Sequence, residues 1–349
     1  MGWVLSLLLT LLLNIAVPAQ IGPCTGLKVT TRPLSGEYGG AGHYSVTRQS
    51  ISHPDPNVPG PVSVFVPGNA TTANRVPVIF FAHGFGGNDY LYYDALLRQL
   101  AENGYIVVFA PYTANLFATH PTRYQQMWSG FQLAVAHYGG LMDTSRVGFA
   151  GHSYGAGAVP ELTRRGVAAG WGSNGSFMFV MAAWYSWGSS YDQIPATTKL
   201  VVQVYWDDET NQHLISQNDI WNRLPQIQER RWQVIRRAST TCAMNAAHGV
   251  PVTGNTADAS GAGLINGQDH WGVWRRIHAL ADYTFTGNLA ARPVAFGDDA
   301  RMGNWRFYVM RPVTPLEAST APVVNSTGSP TFTWASKCIY ALGSPCPSV

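Results

Sequence analysis

What most narrows the folds open to this chain is a succession of short, unbroken apolar runs, each followed by a segment of helical period. Residues 76–81 read Val-Pro-Val-Ile-Phe-Phe with no polar interruption. A strand with one wet face would alternate, whereas an unbroken run bounded by turn residues is what a strand covered on both faces carries. Residues 105–110, 147–150, 177–183 and 200–206 supply further runs, and residues 62–66 add an alternating one. Between them, residues 89–103 place Leu91, Ala95, Leu96 and Leu100 at helical spacing and stop at Gly104, a residue suited to the position after a helix. Residues 123–137 and 155–168 read as helices, and residues 271–285 as a late amphipathic helix with Trp274, Ile277 and Ala281 on one face. Strands alternating with helices imply right-handed crossovers and a mostly parallel sheet. The expected class is therefore α/β, a central sheet flanked by helices.

The chain has 349 residues, 46% of them hydrophobic and 12% charged, enough apolar material for a large core and too much for a disordered protein. A single domain over residues 20–349 is expected, with its core at about 62–285 and a Pro-, Ser- and Thr-rich C-terminal extension at about 292–349 that holds a strand-like stretch, 305–310. The formal net charge is +3, and no basic cluster exceeds the pairs Arg230-Arg231 and Arg275-Arg276, so no face for nucleic acid is expected. Residues 1–17 are nearly all apolar and end at Pro18-Ala19-Gln20, which reads as a secretory signal peptide over residues 1–19, with an N-terminal membrane anchor as the alternative. No later segment is apolar enough to span a bilayer, so the mature chain is expected to be a soluble, secreted monomer. Four cysteines suit an oxidising compartment. Cys338 and Cys346 flank the turn Gly343-Ser344-Pro345 and are expected to pair locally, leaving Cys24 for Cys242; four free buried thiols are the alternative.

Gly151-His152-Ser153-Tyr154-Gly155 falls between a strand and a helix, the setting of a nucleophile presented on a sharp turn. Small neighbours on either side let the backbone pass close to a serine held in strained geometry. Here the sequence resembles the α/β-hydrolase superfamily, over residues from about 62 to 285. The resemblance implies an oxyanion hole made by the backbone N–H of Tyr154 and by one from the loop His83-Gly84-Phe85-Gly86-Gly87, that of Phe85, whose ring would lie beside the acyl pocket. His83 is then a residue that orders the loop.

Serine needs a base to take its proton and a carboxylate to orient that base, in the order Ser, Asp, His for this fold. Asp207-Asp208-Glu209 follows the run 200–206, and Asp208 is the expected acid, with Asp207 the alternative. Of the later histidines, His270 stands in the polar stretch Asn266-Gly267-Gln268-Asp269-His270 immediately before the late helix, where the family presents its base, so His270 is expected and His248 is the alternative. No His-Glu-x-x-His, paired Cys-x-x-Cys or EF-hand pattern is present, so neither a metal nor another cofactor is implied. The sequence resembles the secreted lipases and esterases, a group that includes cutinase-like polyester hydrolases and dienelactone-hydrolase-like and chlorophyllase-like enzymes. It departs from the polyester hydrolases in having Tyr154 where they commonly carry Met. The implied activity is hydrolysis of a small or polymeric carboxylic ester through an acyl-enzyme, with a serine peptidase or acyltransferase, or a non-catalytic binding protein on the same fold, as the alternatives. Trp184 and Trp187 stand where such enzymes place an aromatic wall against substrate, with burial in the core as the alternative.

Overall fold

The computed structural model describes residues 30–240, 243–253, 265–306, 310–342, 344 and 346. Nine strands form one sheet: β1 (Val46–Ile51), β2 (Val62–Pro67), β3 (Val76–Ala82), β4 (Ile106–Phe109), β5 (Met142–His152), β6 (Ser176–Met181), β7 (Lys199–Tyr205), β8 (Glu229–Ile235) and β9 (Glu317–Ser319). Their order in space is β1-β2-β4-β3-β5-β6-β7-β8-β9. The six strands from β4 to β8 run parallel, and antiparallel strands complete both edges. The protein is thus α/β with a large, mostly parallel central sheet.

Both faces of that sheet are covered, which is why its central strands read as unbroken apolar runs. Alternate residues of β3 serve opposite cores. Ile79 and Phe81 join the cluster under α1 (Asp94–Glu102) and the late helix α4 (Arg275–Thr286), with Leu96, Leu100, Ile277 and Leu280. Val78 and Phe80 join the cluster under α2 (His120–Tyr138) and α3 (Tyr154–Ala168), with Met127, Phe131, Val159 and Leu162. α2 starts three residues earlier than its periodicity suggests, because Thr119 accepts the Thr122 N–H and Pro121 fits a first turn.

Three strands of the sheet escaped the sequence reading, β1, β8 and the short β9. β1 is a half-exposed edge strand, Val-Thr-Arg-Gln-Ser-Ile, paired with β2. β8 opens on Glu229-Arg230-Arg231 and contains Gln233, whose amide oxygen accepts a hydrogen bond from Gln203 of β7 inside the core. The late helix, expected at 271–285, is preceded by a wider π-helical turn, Gln268–Trp274. Of the strand expected at 305–310, a two-residue pairing, Asn304–Trp305 with Arg311–Pro312, is described.

The C-terminal segment returns to the sheet. β9 pairs antiparallel with β8, and further on the chain bridges from Phe332 to Asn211 and forms a 3₁₀ helix, Trp334–Tyr340. The expected Cys338–Cys346 disulfide is present. Cys24, Cys242 and the expected signal peptide lie outside the described residues. Among the described residues no helix is long and apolar enough to cross a membrane.

Candidate functional site

Parallel strands put their C-terminal ends along one edge, and the loops leaving β3, β5, β6, β7 and β8 build the candidate site there. Ala82 is in register with Gly151, and His152 with Met181, so the loop after β3 and the turn after β5 start side by side. The strand-to-helix turn between β5 and α3 is tight enough to put Ser153 at φ 56°, ψ −118°, a conformation that L residues avoid and that surrounding structure must hold. Its N–H donates to Met181 O (2.9 Å), and its carbonyl accepts from Trp184 N–H (2.9 Å) and Gly157 N–H (3.1 Å). The flanking glycines are there for space: a Cβ on Gly155 would lie 2.1 Å from Ala82 O, and one on Gly151 would lie 2.8 Å from the Gly155 carbonyl carbon.

Asp208, on the turn after β7, is buried, and its Oδ1 accepts the backbone N–H groups of Thr210 (2.8 Å) and Asn211 (2.9 Å). Its Oδ2 is 2.8 Å from Nδ1 of His248, and Nε2 of His248 is 2.9 Å from Ser153 Oγ. A carboxylate only accepts, so Nδ1 of His248 carries the proton and Nε2 offers its lone pair to the serine hydroxyl. The expectation of His270 as the base is corrected by this placement. His270 lies inside the π-helical turn, buried, its ring edge-on to Trp274 at 4.4 Å, and neither ring nitrogen has a hydrogen-bond partner. Burial lowers its pKa to about 4. The polar stretch before the late helix resembled an exposed loop in sequence, but it folds as part of the helical element.

Asp207 has a separate task. Its N–H donates to Ala246 O (2.8 Å), its Oδ2 accepts from Ala246 N–H (3.0 Å), and its carboxylate pairs with Arg237. These contacts moor the segment that carries His248, two residues further on. Two adjacent aspartates therefore bear on His248, Asp208 on its ring and Asp207 on the backbone of Ala246, two residues before it.

The loop after β3 packs against the serine. A Cβ on Gly84 would lie 3.4 Å from Ser153 Cβ. Gly87 N–H donates to Gly84 O (2.9 Å), closing a turn in which Gly86 takes φ +82° and the N–H of Phe85 is not used by the turn itself. The N–H of Tyr154 occupies the first position of α3, where no intrahelical carbonyl reaches it. His83 is fully buried between Phe109 and Tyr112, with Nδ1 2.8 Å from Gly84 O, and burial lowers its pKa to about 4; it braces the loop.

An aromatic wall borders Ser153 on the other side. The ring of Phe85 lies 6.1 Å from that of Tyr154, with the buried Arg123 guanidinium over both. Trp184 is half-buried and packs on Tyr154 (5.4 Å), and Trp187 stacks on His120 at 4.5 Å. His120 was not singled out from the sequence. Its Nε2 donates to Tyr340 O (2.6 Å), so its Nδ1 accepts from the Tyr154 hydroxyl (2.9 Å), and burial lowers its pKa to about 4. Tyr340 also meets Trp184, and Lys337 forms a buried ion pair with Asp219, its ammonium over the ring of Trp187. The C-terminal extension thus completes the wall.

Among the described residues no three His, Cys, Asp or Glu side chains are arranged to hold a metal ion. What the arrangement can do chemically is deprotonate the Ser153 hydroxyl next to two backbone N–H groups. A scan against models of known protein families and a search of curated proteins both find no match for this chain.

Proposed function

We propose that the protein is a serine hydrolase of the α/β-hydrolase type that cleaves carboxylic esters through an acyl-enzyme. The observation that carries this reading is the line Asp208 Oδ2, His248 Nδ1, His248 Nε2, Ser153 Oγ, with separations of 2.8 and 2.9 Å, on a serine held at positive φ. A catalytic serine needs a base within hydrogen-bond reach and a third group that fixes the base's tautomer, and strain of this kind clusters at working sites.

In the proposed cycle Ser153 Oγ attacks the ester carbonyl while His248 Nε2 takes its proton. Asp208 stabilises the imidazolium, and its own two backbone donors keep it from turning away. The N–H groups of Tyr154 and Phe85 receive the developing oxyanion. His248 then returns the proton to the departing alkoxide, leaving an acyl-Ser153 that water hydrolyses by the same proton path in reverse. Phe85 and Trp184, both half-buried and backed by the buried ring of Tyr154, offer ring surface to the acyl or alcohol portion. The Cys338–Cys346 disulfide supports placing the enzyme in an oxidising, extracytoplasmic compartment.

The test is labelling of purified protein with a fluorophosphonate and turnover of p-nitrophenyl butyrate alongside an amide and a polyester. Label on Ser153, with turnover abolished in Ser153→Ala, is the expected result. An unlabelled Ser153, or a Ser153→Ala protein at the parent rate, would overturn the reading.

A further inference from the structure

Three buried hydrogen bonds outside the triad join the three loops that the triad needs. Gly84 N–H donates to Tyr93 Oη (3.0 Å), Tyr93 Oη meets His152 Nδ1 (2.9 Å), and His152 Nε2 meets the backbone carbonyl of His248 (2.9 Å). Their directions follow from chemistry. The His248 carbonyl can only accept, so Nε2 of His152 carries the proton; the ring is neutral, so Nδ1 accepts and the Tyr93 hydroxyl donates. Tyr93 in turn accepts from Gly84. Each group finds its complement, and Tyr93 and His152 are almost fully buried, at 2% and 3% exposure. Burial, with the neighbouring His248 adding to it, pushes the His152 pKa well below its ordinary value and keeps the ring in this single state.

The chain of bonds starts in the oxyanion loop, passes through the residue that precedes the nucleophile, and ends on the backbone of the base. Tyr93 comes from the segment leading into α1, so an element with no part in the triad supplies the central link. We propose that Tyr93 and His152 are positioning residues, forming a relay that fixes the loop of Phe85 and the backbone of His248 relative to Ser153. The inference rests on the serine hydrolase reading. A misplacement of about 1 Å in either loop is enough to cost about a hundredfold in rate, so loss of the relay should fall on turnover and leave the aromatic wall, and with it substrate binding, in place.

The test uses the full chain and the variants Tyr93→Phe, His152→Leu, His152→Gln and the double variant Tyr93→Phe/His152→Leu. Gln keeps an N–H that can reach the His248 carbonyl, whereas Leu keeps none. Tyr93→Phe should lower kcat by about ten- to a hundredfold with KM changed less than about threefold, and His152→Gln should recover part of what His152→Leu loses. The double variant should lose no more than the larger single loss, because both breaks interrupt one chain. Amide exchange read by mass spectrometry should show faster exchange of residues 83–87 and of residues 246–250 in Tyr93→Phe, a readout that does not depend on turnover. Unchanged kcat in Tyr93→Phe with a labelled Ser153, additive losses in the double variant, or exchange unchanged in both loops would each overturn the relay while leaving the serine hydrolase reading standing. Should His152→Leu fail to fold, Tyr93→Phe and His152→Gln carry the test.

Discussion

Replacing Asp208 by Asn separates the two adjacent aspartates and tests the tautomer argument directly. The amide has two ways to sit. With its oxygen in place of Oδ1 it still accepts from Thr210 and Asn211, and its NH₂ then faces Nδ1 of His248. Reversed, the oxygen would satisfy His248, but the NH₂ would oppose two backbone donors, each left unmet at a cost of about 1–3 kcal/mol. The first orientation wins, and a donor facing Nδ1 drives the imidazole proton to Nε2, where it blocks acceptance of the serine proton. The expected loss is about 10⁴-fold in kcat, or about 5.4 kcal/mol at about 1.36 kcal/mol per decade. The fold should survive, since both backbone contacts remain. Asp207→Asn is the control: it keeps an acceptor for Ala246 N–H and gives up an ion pair with Arg237, whose side chain is 56% exposed, a pair worth no more than about 1 kcal/mol. Its kcat should stay within about tenfold. Steady-state turnover of a soluble p-nitrophenyl ester, with melting curves for both proteins, decides the matter. A severe Asp207→Asn defect beside a mild Asp208→Asn one would refute the reasoning.

His248→Ala should lower kcat by about 10⁴-fold or more, while His270→Leu should stay within about threefold of the parent and melt no lower, because it removes two buried ring nitrogens that lack partners; a reversal in turnover assays would restore His270 as the base. Gly155→Ala puts a Cβ 2.1 Å from Ala82 O and 2.5 Å from His83 O and should yield no soluble folded protein, so a variant with native circular dichroism would contradict the packing described for the turn. Removing the Cys338–Cys346 bridge by a Cys338→Ala/Cys346→Ala double change opens a loop with a separation of 8 and should cost about 2.5 kcal/mol, seen as a lower Tm at unchanged kcat. Burial raises the Asp269 pKa from 3.8 to about 8, outweighing the backbone donors around it. A raised carboxyl contributes stability that is full below about 3.8 and is lost as pH rises through about 8, so Asp269→Asn should flatten that decline in denaturant titrations, and an unchanged slope would count against it.

The central strands were legible because burial on both faces leaves an unbroken apolar signature, and the nucleophile's turn because only glycine fits where Gly151 and Gly155 pass their neighbours. Strands β1, β9 and β8 were hidden for the converse reason: the first two are partly exposed along their length, and β8 opens on the charged, half-exposed Glu229-Arg230-Arg231. The carboxylate that faces His248 was legible to within one residue, and what separates Asp207 from Asp208 is which way each side chain points, a property of the turn that local sequence does not record. His248 rather than His270 meets Ser153 because it follows Ala246 and Ala247 in a turn with no periodicity of its own, and that turn is held by the pairing of Asp207 with Ala246 across 39 residues. Tyr93 falls within the stretch 89–103 read as a helix and was not singled out, and only the folded chain shows its hydroxyl turned toward His152.

The return of the C-terminal segment gives the chain a timetable. Thr331 N–H donates to Glu209 O (2.9 Å), Phe332 N–H to Thr210 O (2.8 Å), and Gln212 N–H to Phe332 O (2.9 Å), so the loop that carries Asp208 is backed by residues more than a hundred positions later. Trp334 N–H adds a bond to Gln212 across 122 residues. A ribosome releases Ser153, Asp208 and His248 well before it releases the residues that brace the Asp208 loop. The sheet can close early, around contacts that are already in hand, whereas the acid loop waits for the end of the chain. Trimming from the C-terminus would meet this bracing before it met either core cluster, so a nick there would strike turnover sooner than it struck the fold.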